Sequence, residues 1–258
     1  YRAEFSGAKS EKLKPRIAET ARSLGKIYFS LSVVLYLALR LAGMNAYEAM
    51  CHTFSTLGTG GFSTRAASIA GFESLLIEYL IIFFMLLAGI SFVQQYRLWV
   101  ERRPGQFFGD IEIHSYVATV AVSTLVISTV LVLHNGYAIE RAFRSALFQV
   151  SAIITTTGFV TDDFEIWHPL PQLILLALMF VGGCTGSTAG GLKVSRILLL
   201  AKVVDREFKR MVERRGVFAV RLGGVVVPEG TIQSLLNLIY LAFFVNFGSC
   251  LLLATMGV

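Results

Sequence analysis

The sequence predicts an all-α integral membrane protein in which a unit of two spans joined by a re-entrant segment is repeated. Three observations carry this expectation. Hydrophobic residues make up 55% of the 258-residue chain and charged residues only 16%, with a mean hydropathy of +0.66; a soluble domain of this size does not hide so much apolar surface. Apolar runs recur at Ile27–Met44, Leu75–Val93, Ile113–Leu133, Gln172–Val204 with an interruption, and Ile232–Met256. Two stretches rich in hydroxyls and glycine, "CHTFSTLGTGGFSTR" at 51–65 and "FQVSAIITTTGFVTDD" at 148–163, fall between these runs.

About 20 residues at a helical rise of roughly 1.5 Å cross a hydrocarbon core of about 30 Å, so each run is read as a span. Ahead of the first lies a polar basic stretch, "YRAEFSGAKSEKLKPRIAETAR", without a starting Met or a cleavable signal pattern, and it reads as part of a longer chain. The net charge of +6 follows topology rather than forming one patch, which argues against nucleic acid as a partner. Seven Lys/Arg lie in 1–26, three in 97–103 and nine in 193–221, whereas the connections 45–71 and 135–170 hold only Arg65, Arg141 and Arg144. Positive residues stay on the cytoplasmic side, so the N-terminus is expected inside and the two poor connections outside.

Both outward connections are too long and too apolar for plain loops. In the first, Ala46, Ala49, Met50 and Phe54 are spaced as on a helix face before a glycine run stops the pattern. In the second, Ile139, Ala142, Phe143, Ala146, Leu147 and Val150 repeat that spacing. Aligned on Gly61 and Gly158, 97 residues apart, the two share Ala49/Ala146, Phe62/Phe159 and Thr64/Thr161. The chain thus repeats a unit of span, half-helix, Gly/Thr strand and span.

Irregular backbone at membrane depth is tolerated only where protein buries it or where it lines a watery cavity. A Thr/Gly strand turning back from a re-entrant helix presents carbonyls to such a cavity, and carbonyl rings replace the hydration shell of a permeating cation. Glycine allows the positive φ that aims successive carbonyls one way, and threonine adds an oxygen without charge. Such a set suits a weakly hydrated alkali cation that must also leave. The competing reading, ordinary turn glycines at loop tips, is weakened by two strands in matching positions.

The fourth run is broken by "VGGCTGSTAGG". Five glycines in the ten residues 182–191 would cost about 1 kcal/mol each in a helix interior relative to alanine, so the helix is expected to unwind there. The carbonyls and hydroxyls of Thr185, Ser187 and Thr188 then need partners, as in discontinuous transporter helices; close helix packing through small residues is the alternative. "GSTAGGLKVS" is not a phosphate loop, because Leu192 separates Gly191 from Lys193 and Val194 follows the lysine. "GSTAG" centres on Thr188, not serine, which leaves an intramembrane hydrolase the weakest reading. Cys51, Cys184 and Cys250 show no metal or CxxC spacing and read as packing residues. His52, His114, His134 and His168 fall near span ends or outer segments. Glu78, the clearest acid within a span, is either snorkelling or paired.

"PRIAETAR", "FSTLGTGGFSTR", "TTTGFVTDDF" and above all "GGCTGSTAGGLKVSR" resemble the membrane subunit of bacterial Trk/Ktr-type potassium uptake systems, over essentially the whole chain. The resemblance implies repeated span–pore helix–filter strand–span units with re-entrant pore loops, four around one pore, each with one key filter glycine. Carried over by motif, Gly61 and Gly158 are those glycines, and Gly58, Thr59, Gly60, Thr155, Thr156 and Thr157 complete the two strands, with potassium held by backbone carbonyls and threonine hydroxyls. Gly182, Gly183, Cys184, Thr185, Gly186, Ser187, Thr188, Ala189, Gly190 and Gly191 match the intramembrane loop that obstructs the pore. The resemblance further implies a multi-pass protein of the bacterial inner membrane, a homodimer of full-length subunits and a cytosolic nucleotide-binding regulatory subunit. No cofactor and no enzymatic activity are expected.

The chain departs from that pattern in having two filter strands, so it is read as part of a longer subunit, the alternative being that two copies pair. The expected division is a cytoplasmic basic segment 1–26, a pore repeat 27–96, a cytoplasmic loop 97–112, a pore repeat 113–204 whose second span is interrupted at 182–191, a cytoplasmic basic loop 205–230, and the first span of a further repeat, 231–258. The expected function is potassium translocation through a carbonyl-lined filter gated by the intramembrane loop. The alternative is a structural or assembly segment with packing glycines.

Overall fold

The structure, a computed structural model, describes residues 17–213, 216 and 218–256, so most of the basic segment 1–26 lies outside the described residues. Two compact units divide the chain at Val194/Ser195. The larger, ending at Val194, opens with helix α1 (Ile17–Leu41), a half-helix α2 (Ala46–Leu57), and then α3 (Leu75–Gly89), α4 (Phe92–Trp99) and the short α5 (Pro104–Phe108). A second round follows with α6 (Ile111–Asn135), a half-helix α7 (Ile139–Ile154) and α8 (Pro169–Met179). The two half-helices end at Leu57 and Ile154, the same position of the 97-residue repeat.

Local chemistry sets these limits. The Asn45 side chain caps α2 by accepting from the Glu48 N–H, and Asp110 does the same for α6 through Glu112 N–H. Gly136, with φ +69°, ends α6 in the left-handed conformation that glycine adopts without strain. Pro169 opens α8, where its missing N–H is not needed. The core gathers Leu31, Leu35 and Leu39 of α1, Ala49 and Leu57 of α2, Ile81 and Met85 of α3, and Phe148, Ala152 and Phe159 from the second round. Phe159 stacks on His52 with ring centroids 5.9 Å apart, so the second round is packed into the first.

Among the described residues three helices are long and apolar enough to cross a membrane: Ala21–Leu41, Ile111–Asn135 and Glu229–Thr255. The expected span Leu75–Val93 is not one helix: α3 stops at Gly89 and α4 leaves at 102°. The carbonyls freed at this break find donors. Gln95 Nε2 donates to Leu87 O (2.7 Å) and Ile90 O (3.1 Å), and Cys184 N–H donates to Gly89 O (2.8 Å). This satisfaction is the condition for broken helix at membrane depth. The expected interruption in the fourth run is present, with α8 ending at Met179 and helix resuming at Val194.

From Ser195 the second unit contains all but the first residue of α9 (Val194–Val212), a two-stranded hairpin of β1 (Arg221–Leu222) and β2 (Val225–Val226), and α10 (Glu229–Thr255). The described part of 205–230, expected as a cytoplasmic basic loop, holds the end of α9, the hairpin and the start of α10. Gly223 and Gly224, with φ of +57° and +82°, supply the two positive-φ residues of a two-residue hairpin turn. Val220, Leu222 and Val227 pack with Leu199, Val203, Ile232 and Leu235 in its small core.

Candidate functional site

The site is built where the half-helices end. At the end of α2, Thr59 N–H donates to Thr56 O (3.2 Å) and Gly60 N–H reaches back to Ser55 O (2.7 Å). At the end of α7, Thr156 N–H donates to Ile153 O (2.9 Å) and Thr157 N–H to Ala152 O (2.9 Å). Every donor and acceptor in the second pair sits 97 residues after its counterpart. This is the Schellman closure of a helix, which requires a left-handed residue just past the end, normally glycine. Here that residue is threonine both times, Thr59 at φ +51° and Thr156 at φ +56°. A β-branched side chain in this region is an outlier that the surroundings must hold in place.

Two residues on, Gly61 (φ +70°) and Gly158 (φ +81°) are left-handed as well. Both strands therefore alternate in the same way, turning their peptide groups in a repeated sense. They lie side by side, because a Cβ on Gly61 would collide with the Thr157 carbonyl oxygen and crowd Gly158. Gly61 is thus required twice over, by φ and by close approach. Neither half-helix carries a basic residue in its last turn, which leaves the partial negative charge of roughly half an electron at each C-terminus facing the strands.

The threonine hydroxyls differ in role from their backbone. Thr155 and Thr157 are buried, and their hydroxyls bond each other at 2.8 Å, with Thr155 Oγ1 also 2.6 Å from Ser151 O. Thr59 Oγ1 donates to Gly58 O (2.8 Å) and to Thr188 O (3.1 Å). Thr156 Oγ1 accepts from Gly190 N–H (2.7 Å). All four of these hydroxyls are hydrogen-bonded to protein groups.

The glycine loop 182–191 is brought against both strands by those bonds. On its other side it fills the break after α3: Thr188 donates through Oγ1 to Ala88 O (3.2 Å), and Phe92 N–H donates to Gly186 O (3.0 Å). Glu112, in the first turn of α6, accepts from both Thr185 N–H (2.7 Å) and Thr185 Oγ1 (3.0 Å). Packing accounts for part of the glycine content, since a Cβ on Gly182 would run into the Gly190 carbonyl. The backbone is nevertheless open, not helical, between the isolated bridge residues Val181 and Leu192.

Segments following the strands are clamped to the half-helices. In the first round Glu48 pairs with Arg65 (3.2 Å), and His52 Nε2 lies 2.9 Å from Ser63 Oγ. In the second, Ser145 Oγ donates to Asp162 (3.0 Å) at the positions equivalent to Glu48 and Arg65, and Gln149, equivalent to His52, donates through Nε2 to Asp162 O (3.2 Å). Glu78, expected to be snorkelling or paired, is paired with Arg144 of α7, which also bonds Glu140. Among the described residues no group of three His, Cys, Asp or Glu is placed to hold a metal ion.

A family model for a cation transport protein, TrkH, matches residues 1–257. The chain belongs to the TrkH family. It is 42% identical to the Trk system potassium uptake protein TrkH of Halomonas elongata, over 91% of this chain and 49% of that protein. It is 40% identical to the protein of the same name from Escherichia coli K12, again over 91% and 49%. The crystal structure of the potassium transporter TrkH from Vibrio parahaemolyticus superposes with a TM-score of 0.84 at 36% identity, covering 89% of this chain and 50% of that one. The chain spans about half the length of the relatives it matches. Sequence reasoning about this TrkH-family chain did not single out Glu112 or the α3–α4 break. A lone acid at a helix start carries no signal for the loop it holds, whereas "AGIS" at 88–91 was a weak sign of a break.

Proposed function

We propose that the full-length subunit carrying this sequence translocates potassium across the bacterial inner membrane, and that Gly58–Gly61 and Thr155–Gly158 are two of the strands of its selectivity filter. The observation that carries this reading is the repeated backbone: two adjacent strands with the same alternation of left-handed residues, each at the C-terminal end of a half-helix. Carbonyls aimed in one sense replace the hydration of a weakly hydrated cation, and the helix ends favour positive charge without a carboxylate that would trap it. The relatives' names as potassium uptake proteins support potassium as the cargo. Loop 182–191, held against both strands, is the gate that obstructs the path.

In this reading 27–96 and 113–204 are pore repeats and 231–258 opens another. The nineteen Lys/Arg in 1–26, 97–103 and 193–221 lie on the cytoplasmic side, where a nucleotide-binding regulatory subunit docks on a homodimer. In cells lacking their own potassium uptake, the full-length subunit restores growth at low potassium; failure of an expressed, membrane-inserted subunit to do so refutes the proposal. For the orientation, a cysteine at Ala67 reacts with an impermeant thiol reagent in intact cells and one at Gln106 does not. The reverse pattern overturns the assignment of sides.

A further inference from the structure

Thr59 and Thr156 hold the one backbone conformation that threonine resists, and they hold it at the same position of two strands. Glycine would fit there without strain. What threonine adds is a hydroxyl on a branched, rotationally restricted Cβ, and in both strands that hydroxyl reaches the same partner segment, Thr59 sharing its proton between Thr188 O (3.1 Å) and its own neighbour Gly58 O (2.8 Å). The sense is opposite in the two cases. Thr59 donates to a loop carbonyl, that of Thr188, whereas Thr156 accepts from a loop amide, that of Gly190. The loop therefore cannot move away from the strands without breaking a bond to each. Thr156 would lose its hydroxyl partner in the same step, and Thr59 would keep only its local bond to Gly58 O.

We infer that Thr59 and Thr156 are positioning residues that couple the docking of loop 182–191 to the geometry of the two strands, so that cation binding in the strands and docking of the loop stabilise each other. The inference rests on the filter reading above and deepens it. Elsewhere in the loop Thr185 is held by Glu112, and Thr188 and Cys184 by the carbonyls of Ala88 and Gly89. Those contacts fix where the loop sits, and the two hydroxyls tie that position to the strands by hydrogen bonds. Coupling of this kind is reciprocal: a cation that favours the observed strand geometry also favours the docked loop, by the same factor.

Hydrogen–deuterium exchange of the full-length subunit in lipid nanodiscs tests this on the peptide covering 186–192, in potassium against sodium at equal ionic strength. The expected result is slower exchange of that peptide in potassium by about fivefold, the equivalent of one hydrogen bond at ~1 kcal/mol. In a Thr59→Val, Thr156→Val double variant the potassium dependence disappears, and in Thr59→Ser, Thr156→Ser it returns. Equal exchange in the two salts by an unmodified subunit that passes potassium selectively overturns the coupling and leaves the filter reading standing. So does a folded valine variant that keeps the potassium dependence. A subunit with no potassium-selective flux refutes the filter reading itself, which the same preparation reports. Because the first comparison needs no substitution, poor folding of the valine variant does not remove the test.

Discussion

The two rounds of the fold share a backbone and differ in what surrounds it. Gly61 has the Thr157 carbonyl against its open side, whereas nothing lies within 4 Å of the corresponding side of Gly158. Phe159 is 1% exposed and stacked on His52, while its counterpart Phe62 is 82% exposed. In each pair the residue in contact is the one that has the other round beside it. The half-helix clamp differs as well, with Glu48–Arg65 in one round and Ser145–Asp162 in the other, so the carboxylate has moved from the helix to the segment after the strand. A conserved backbone with exchanged side chains indicates that strand geometry, and not any particular ion pair, is what the repeat preserves.

The largest effect is expected where the loop meets both rounds at once. Deleting 185–189 from the full-length subunit removes the Glu112 and Thr188 bonds while leaving both strands, and basal potassium flux in reconstituted vesicles should rise severalfold. A folded deletion variant with flux at or below the parent's would make the loop a packing device. Next comes the phenylalanine pair. Phe159→Ala should lower stability by about 3–5 kcal/mol through loss of a buried ring, whereas Phe62→Ala, as exposed as it is here, should change it by less than about 0.5 kcal/mol. Denaturation of the two purified variants makes the comparison, and equal losses would mean that another part of the subunit covers Phe62. The smallest effect belongs to the clamp. Glu48→Gln, which removes the charge pairing with Arg65 and leaves that side chain's contacts to Gly71 O and the Phe72 ring, should cost only about 0.5 kcal/mol because the Arg65 side chain is 42% exposed and the pairing is screened, and an effect of several kcal/mol in the same assay would show the ion pair to be essential.

Much of this was legible in the sequence for physical reasons that can be named. Apolar runs of membrane length stand out by composition, and the 97-residue register paired two half-helices that the structure ends at equivalent positions, Leu57 and Ile154. The interruption at 182–191 was legible because glycine opposes helix strongly enough to override an apolar context. The break after Gly89 was hidden, since "LLAGISFVQQ" is apolar through the bend and its freed carbonyls are served by Gln95 and by a loop a hundred residues away. The left-handed threonines were also hidden, because β-branched residues argue locally against that conformation and bonds from a loop distant in sequence help to sustain it. The pairing of Glu78 with Arg144 was open from sequence, since a carboxylate in a span does not name its partner.

The central claim is that the two Gly/Thr strands select the ion. The most direct measurement is the potassium-over-sodium preference of the reconstituted full-length subunit bearing Gly61→Ser or Gly158→Ser, with Gly105→Ser, which has open space around it, as the control. A β-carbon at either left-handed glycine disfavours the conformation that aims the carbonyls, so preference should fall by about tenfold or more, equivalent to ~1.4 kcal/mol, at near-parental expression, with the control unchanged. Unaltered preference in both strand variants would contradict the account.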